Sequence, residues 1–280
     1  MVIGIPAGAS DARLDNDEGV QSLLSYCETV GVRHVAVGAP MKDGQPHPDA
    51  LIQLKETLTN AGLVIYAGGC FFGREGDFFA PAVRSAQREE LEKLIVCYGK
   101  AKVDLLTVFC GVKPSDEKED DEIRWKLAVD FLRGLVNIAE GSGVRLAVHT
   151  LTNSVFNRYA TIERLFAEIP SDYLGVCYDI AIHTQLGDDL PMNFNALRSK
   201  MFLMHLRTIG DVTPSKTLEL VDGKLQPAAQ RKQEVNFPAS IRALLNINYD
   251  GILSLEHQTG PIAYARTVGY IKGLIEAIQT

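Results

Sequence analysis

Short apolar, β-branched runs alternate along the chain with longer stretches whose apolar residues recur at helical spacing. The runs that read as strands are Val2–Pro6, His34–Gly38, Val64–Ala67, Leu105–Phe109, Arg145–His149, Gly175–Asp179, Phe202–Arg207 and Ile252–Glu256. Between them lie amphipathic stretches such as Asp49–Asn60, Ser85–Tyr98, Ile123–Glu140 and Ala160–Ile169, and Tyr264–Ile278 follows the last run. Gly31, Gly62 and Gly143 stand where a left-handed residue would end a helix before the next strand. Strands each followed by a helical segment, within 280 residues, predict a closed parallel (β/α)8 TIM barrel occupying 1–280 as one domain. A doubly wound open sheet is the alternative. It usually carries a glycine-rich turn after its first strand, and Ile5-Pro6-Ala7-Gly8 matches that fingerprint poorly.

Two segments break the alternation. Lys113–Asp121 is strongly acidic and reads as a solvated loop entering a helix. Ile209–Asn236 is long and polar, and long loops in compact domains serve either as lids or as idle excursions. Composition adds exclusions. Hydrophobic residues make up 46% of the chain, enough for a sizeable core. The net charge is −7 and no stretch gathers lysine and arginine on one face, so a nucleic-acid partner is not expected. The five cysteines, Cys27, Cys70, Cys97, Cys110 and Cys177, are odd in number and form no CxxC, which fits a reducing compartment. The opening MVIGIPAG reads as a strand, and no run is long and apolar enough to span a membrane; a cytoplasmic location is expected.

Barrel enzymes carry their chemistry at the C-terminal ends of the strands, so the titratable residues found there are the informative ones. The fifth strand ends in His149, the sixth in Asp179, the seventh contains His205 and Arg207, and the eighth ends in Glu256-His257. Taken singly, each has a plain structural explanation. Asp179 would cap the following helix, Glu256 would pair with Arg207, and Arg207 would belong to a structural ion pair. Taken together, His149, Asp179, His205 and Glu256 on consecutive strands predict one metal site. Two imidazoles and two carboxylates suit Mn²⁺ foremost, with Co²⁺, Fe²⁺, Zn²⁺ and Mg²⁺ as further candidates, and suit Ca²⁺ poorly. Arg207 is suited to holding a substrate carboxylate or phosphate, and His183, four residues past Asp179, is a second candidate substrate contact. His257, Tyr264 and Glu256 are the acid–base candidates.

Most specifically from Gly143 to the C-terminus, and in outline along the whole chain, the residues resemble the xylose isomerase-like barrel superfamily. That superfamily includes sugar isomerases, keto-sugar epimerases and a class of endonucleases. Gly143-Val-Arg-Leu-Ala-Val-His149 is similar to the fifth strand of mannonate dehydratases, which ends in a histidine ligand. His205-Leu206-Arg207-Thr208 resembles their HxRN motif, and Tyr249-Asp250-Gly251 through Glu256-His257 resembles their eighth strand. The tail from Gly269 to Ala277 is also similar. The chain departs from that pattern in having Asp179 where the dehydratases have Cys, and Glu256 where they have Asp. At those two positions it resembles the epimerase branch, which has Glu where His149 stands.

The resemblance implies a divalent-metal-dependent enzyme of carbohydrate metabolism acting on a small sugar or sugar acid, with a homo-oligomer compatible. Because His149 removes one of the two carboxylates that epimerisation uses, the first expectation is a lyase dehydrating a sugar acid. The alternative is a sugar isomerase or 3-epimerase acting on a keto-sugar through a metal-bound enediolate. A non-catalytic sugar-binding barrel is the second alternative. An endonuclease is disfavoured, since an acidic chain offers no basic groove for phosphates.

Overall fold

The computed structural model describes residues 1–10, 14, 16–69, 77–112, 121–207, 218–221, 224–227, 235–256 and 260–280; for 121, 218–221 and 224–227 it describes the backbone. Eight strands close on themselves with every neighbouring pair parallel: β1 (Val2–Pro6), β2 (His34–Val37), β3 (Val64–Gly68), β4 (Leu105–Val108), β5 (Arg145–His149), β6 (Leu174–Asp179), β7 (Met201–Leu206) and β8 (Ile252–Leu255). The circuit closes where Val2, Ile3 and Gly4 pair with Ile252, Leu253 and Ser254. The expected barrel is therefore observed, and the expected strands stand within a residue or so of the observed ones.

Helices lie between the strands: α1 (Asp17–Val30), α2 (Pro48–Asn60), α3 (Pro81–Lys100), α4 (Asp121–Ser142), α5 (Tyr159–Glu168), α6 (Ile180–Gln185), α7 (Leu190–Leu197), α8 (Phe237–Asn246) and α9 (Pro261–Gln279). Their local causes are legible. In α1, Asn16 accepts a hydrogen bond from Gly19 N, Asp17 and Glu18 favour the positive end of the helix dipole, and Gly31 ends the helix at φ +66°. Its buried residues Val20, Leu23 and Cys27 recur every three or four positions. In α2, His47 Nδ1 accepts from Ala50 N and Pro48 opens the first turn. Gly62 and Gly143 adopt the expected left-handed conformation, at φ +82° and +70°.

Strand residues divide between two environments. Leu106, Val108, Leu146, Val148, Val176, Met204, Leu206, Leu253 and Leu255 join the helices in the main apolar core. Tyr66, Ala67, Leu105, Ala147, Cys177 and Leu203 form a second, smaller cluster. Ala147, Cys177 and Leu203 precede His149, Asp179 and His205 by two residues, so each pair shares one face of its strand. The second cluster is thus the filling of the barrel beneath the polar strand ends. Tyr66 takes much of that space: a Cβ on Gly4 would lie 2.5 Å from its ring.

Short antiparallel hairpins stand apart from the barrel, Met41–Lys42 with Gln45–Pro46 and Leu218–Val221 with Lys224–Pro227. The second lies inside the polar stretch Ile209–Asn236; the rest of that stretch up to 234 lies outside the described residues, as do Lys113–Asp121 short of residue 121, His257 and Cys70. Among the described residues, no helix is long and apolar enough to cross a membrane.

Candidate metal centre

Strand register decides which polar ends stand level. His149 pairs with Cys177, Asp179 pairs with His205, and His205 pairs with Ser254. In a tilted barrel, equivalent strand ends are staggered; here the residues level with His149 on β6 and with His205 on β8 lie two positions before Asp179 and Glu256, while Asp179 and His205 stand level.

His149 and His205 face each other, both buried, with His149 Nε2 at 2.9 Å from His205 Nδ1. The Phe109 ring stacks on His149 with centroids 4.8 Å apart. The opposite nitrogen of His149, Nδ1, donates to the Thr150 carbonyl at 3.1 Å. On the far side of His205, Nε2 lies 3.3 Å from Glu256 Oε1. The two rings thus lie between two carboxylates, Asp179 at 3.8 Å from His149 Nε2 and Glu256 at 3.3 Å from His205 Nε2.

This arrangement fits a metal ion. Two imidazole nitrogens bound at about 2.1 Å and at right angles to each other stand about 3 Å apart, which is the separation found. Carboxylates stand on both sides of the two rings, which favours a cation at the pair. The ligand atoms of His149, Cys177 and His205 all lie within 4.8 Å of one another. Burial, with the charges of Glu256 and Asp179, pushes the Cys177 thiol well above its ordinary range, while Arg207 acts in the opposite sense.

Asp179 is heavily engaged. Its Oδ1 accepts from Ala181 N and Ile182 N at 3.0 and 3.1 Å, capping α6. Its Oδ2 accepts from Arg207 Nε at 2.6 Å, and both side chains are buried. The helix cap anticipated for Asp179 is therefore present, and Arg207 pairs with Asp179, where Glu256 was the expected partner. Glu256 itself sits just past β8 with a quarter of its side chain exposed.

His183 is wholly enclosed. Its ring stacks on Tyr178 at 3.8 Å, Nδ1 donates to Asp188 Oδ2 at 2.7 Å, and Nε2 meets Thr150 Oγ1 at 3.0 Å. Thr150 Oγ1 in turn accepts from Asp179 N at 3.3 Å. Arg158 holds the second oxygen of Asp188 at 2.9 Å. Tyr264 lies in the first turn of α9, buried, and its phenol is close enough to Tyr66 to act on it electrostatically. Tyr66 OH and Ser254 Oγ share a hydrogen bond of 2.6 Å, and burial raises the Tyr66 phenol far above its usual value.

The structure thus brings His149 and His205 into contact, places Asp179 beside the first and Glu256 beside the second, and holds Arg207 on Asp179. It does not bring all four expected ligands to one point, because Glu256 meets the nitrogen of His205 that faces away from His149. Cys177 was not among the expected ligands. Its position two residues before Asp179, on the same face of β6, was the available signal.

The chain matches, over residues 24–274, the family model described as xylose isomerase-like TIM barrel. No curated protein sequence matches it. Among solved structures it is similar to one described as L-ribulose 3-epimerase, with TM-score 0.77 and 16% identity, covering 100% of this chain and 96% of that one. It is similar to mannonate dehydratase from Streptococcus suis serotype 2, with TM-score 0.71 and 17% identity, covering 99% and 95%. A third is the IOLI protein with a zinc atom, with TM-score 0.66 and 16% identity, covering 100% and 96%. At these identities the likeness shows the fold.

Proposed function

The chain belongs to the xylose isomerase-like TIM-barrel family, and on that premise we propose that it is a divalent-metal-dependent enzyme of carbohydrate metabolism acting on a small sugar or sugar acid. The observation that carries this reading is the 2.9 Å approach of His149 Nε2 to His205 Nδ1, with carboxylates on both sides. His149 and His205 would hold the ion, with Asp179 and Glu256 adjacent. The zinc described for the similar IOLI fold supports it. A bound ion supplies Lewis-acid polarisation of a substrate oxygen.

The remaining residues favour dehydration of a sugar acid. Asp179 is neutralised by Arg207 and by the amides of α6, so Glu256 is the carboxylate left to remove a proton. With an imidazole at 149, the opposite face of a substrate lacks the second carboxylate that inversion at carbon would need. Elimination needs one base and one acid, and the acid falls to Tyr264 or His257. Arg207, its Nε–H held by Asp179, would meet a substrate carboxylate with its terminal nitrogens. His183, with both ring nitrogens engaged by Thr150 and Asp188, acts in this reading by positioning Thr150, not by touching substrate.

A keto-sugar isomerase or epimerase is the second reading, supported by the similar fold described as L-ribulose 3-epimerase. The two separate when metal-loaded protein is incubated in deuterated water with panels of aldonic acids and ketoses. The dehydratase yields a 2-keto-3-deoxy acid with one solvent deuterium at C3. The epimerase exchanges the C3 proton of a ketose and loses no water. Ketose exchange with no deoxy product would replace the first reading by the second, and neither reaction in metal-loaded protein would leave a sugar-binding barrel.

A further inference from the structure

Among the described residues, the three metal-ligand atoms that gather within 4.8 Å of one another include a sulfur. His149, Cys177 and His205 are all buried, with their ligand atoms mutually within 4.8 Å. Barrel stagger explains why Cys177 joins the two histidines: it is the β6 residue level with His149, whereas Asp179 lies two residues further on, level with His205. Asp179 is also committed elsewhere, through Oδ1 to two backbone amides and through Oδ2 to Arg207. The other fillings at this depth, Ala147 and Leu203, offer no ligand atom.

We propose that Cys177 is a ligand, together with His149 and His205, of the cation this site holds, and that the site therefore takes a thiophilic divalent ion (zinc, cobalt or ferrous iron) ahead of manganese or magnesium. This rests on the metal-site reading above. Thiolate and imidazole together suit zinc, cobalt and iron, whereas manganese and magnesium favour oxygen donors.

The test uses the full chain stripped of metal and titrated with Co²⁺. A sulfur-to-cobalt charge-transfer band should appear in the wild type and in Asp179→Asn, and should be missing from Cys177→Ser that still binds cobalt. Cys177→Ser should also lose about tenfold or more of the wild type's preference for zinc over manganese. Should Cys177→Ser fail to fold, X-ray absorption on the zinc-loaded wild type decides, with one sulfur neighbour expected at about 2.3 Å. A band that persists in Cys177→Ser, or a zinc shell of nitrogen and oxygen alone, overturns the role of Cys177 and leaves the two-histidine site standing. A wild type that binds no stoichiometric metal overturns both.

Discussion

Asp179 and His183 meet through Thr150, and the two residues show how the strand-five end is held rigid. The Thr150 hydroxyl lies between the Asp179 backbone N–H and His183 Nε2, and His183 leans on Asp188, which Arg158 grips from the other side. A buried ion pair such as Asp179–Arg207 adds little net stability, yet losing one partner costs about 3–5 kcal/mol because the other charge is stranded. The Asp188 carboxyl makes a distinct prediction. Burial alone would raise it, but the hydrogen bonds from His183 and Arg158 win and hold it below its ordinary value of 3.8. A carboxylate depressed on folding contributes stability above its unfolded value and loses it as pH falls through the folded one. The stability gap between wild type and Asp188→Asn should therefore be widest near neutral pH and close below about pH 4. Urea unfolding at a series of pH values reads this directly, and a gap that grows on acidification would contradict it.

At the level of elements, period and punctuation carried most of the fold. Runs such as Val2–Pro6 and Arg145–His149 are strands with the bounds their residues suggested, because β-branched residues sit between turn formers. A helix after Asp179 was expected from its capping carboxylate, but not its division into the short α6 and α7; a six-residue segment such as Ile180–Gln185 is too brief to show a helical period and is fixed by its Asp179 cap. Stagger was equally hidden. The strand-end histidines and carboxylates could be listed from sequence, but which of them stand level depends on tilt, and tilt is a property of the closed sheet. That is why Cys177 escaped notice while Asp179 did not. Gly143 allows a clean measurement at this scale. It sits at φ +70° between α4 and β5, with no atom within 4 Å of where a Cβ would stand. Gly143→Ala should cost about 1 kcal/mol by backbone strain alone, and Gly143→Asn less, since Asn tolerates the left-handed region. Denaturant midpoints should shift with unchanged m-values; an equal cost for Ala and Asn would point to packing that the geometry does not contain.

Across the described part of the molecule, the histidines and carboxylates of the candidate site stand at the ends of one half of the barrel circuit, β5 to β8. An ion held by His149 and His205 would tie β5 to β7 across β6, so its binding free energy would be felt as stability of the closed barrel. In the unfolded chain these residues are 56 positions apart, and the paired site does not exist there. A ligand that binds only the folded state adds RT ln(1 + [L]/Kd), about 2.7 kcal/mol at a hundredfold excess over Kd. For a chain of this size each kcal/mol moves Tm by about 2 °C, so the shift should be on the order of 5 °C. Calorimetry of the metal-stripped chain with rising zinc or cobalt should show Tm climbing with the logarithm of free ion. His205→Ala removes the ring that faces both His149 and Glu256, and in that variant the climb with ion should vanish, whatever the lost ring costs the metal-free Tm. An equal climb in wild type and His205→Ala would mean that the ion binds elsewhere, since a ligand can shift the folding equilibrium only through the contacts it makes in the folded state.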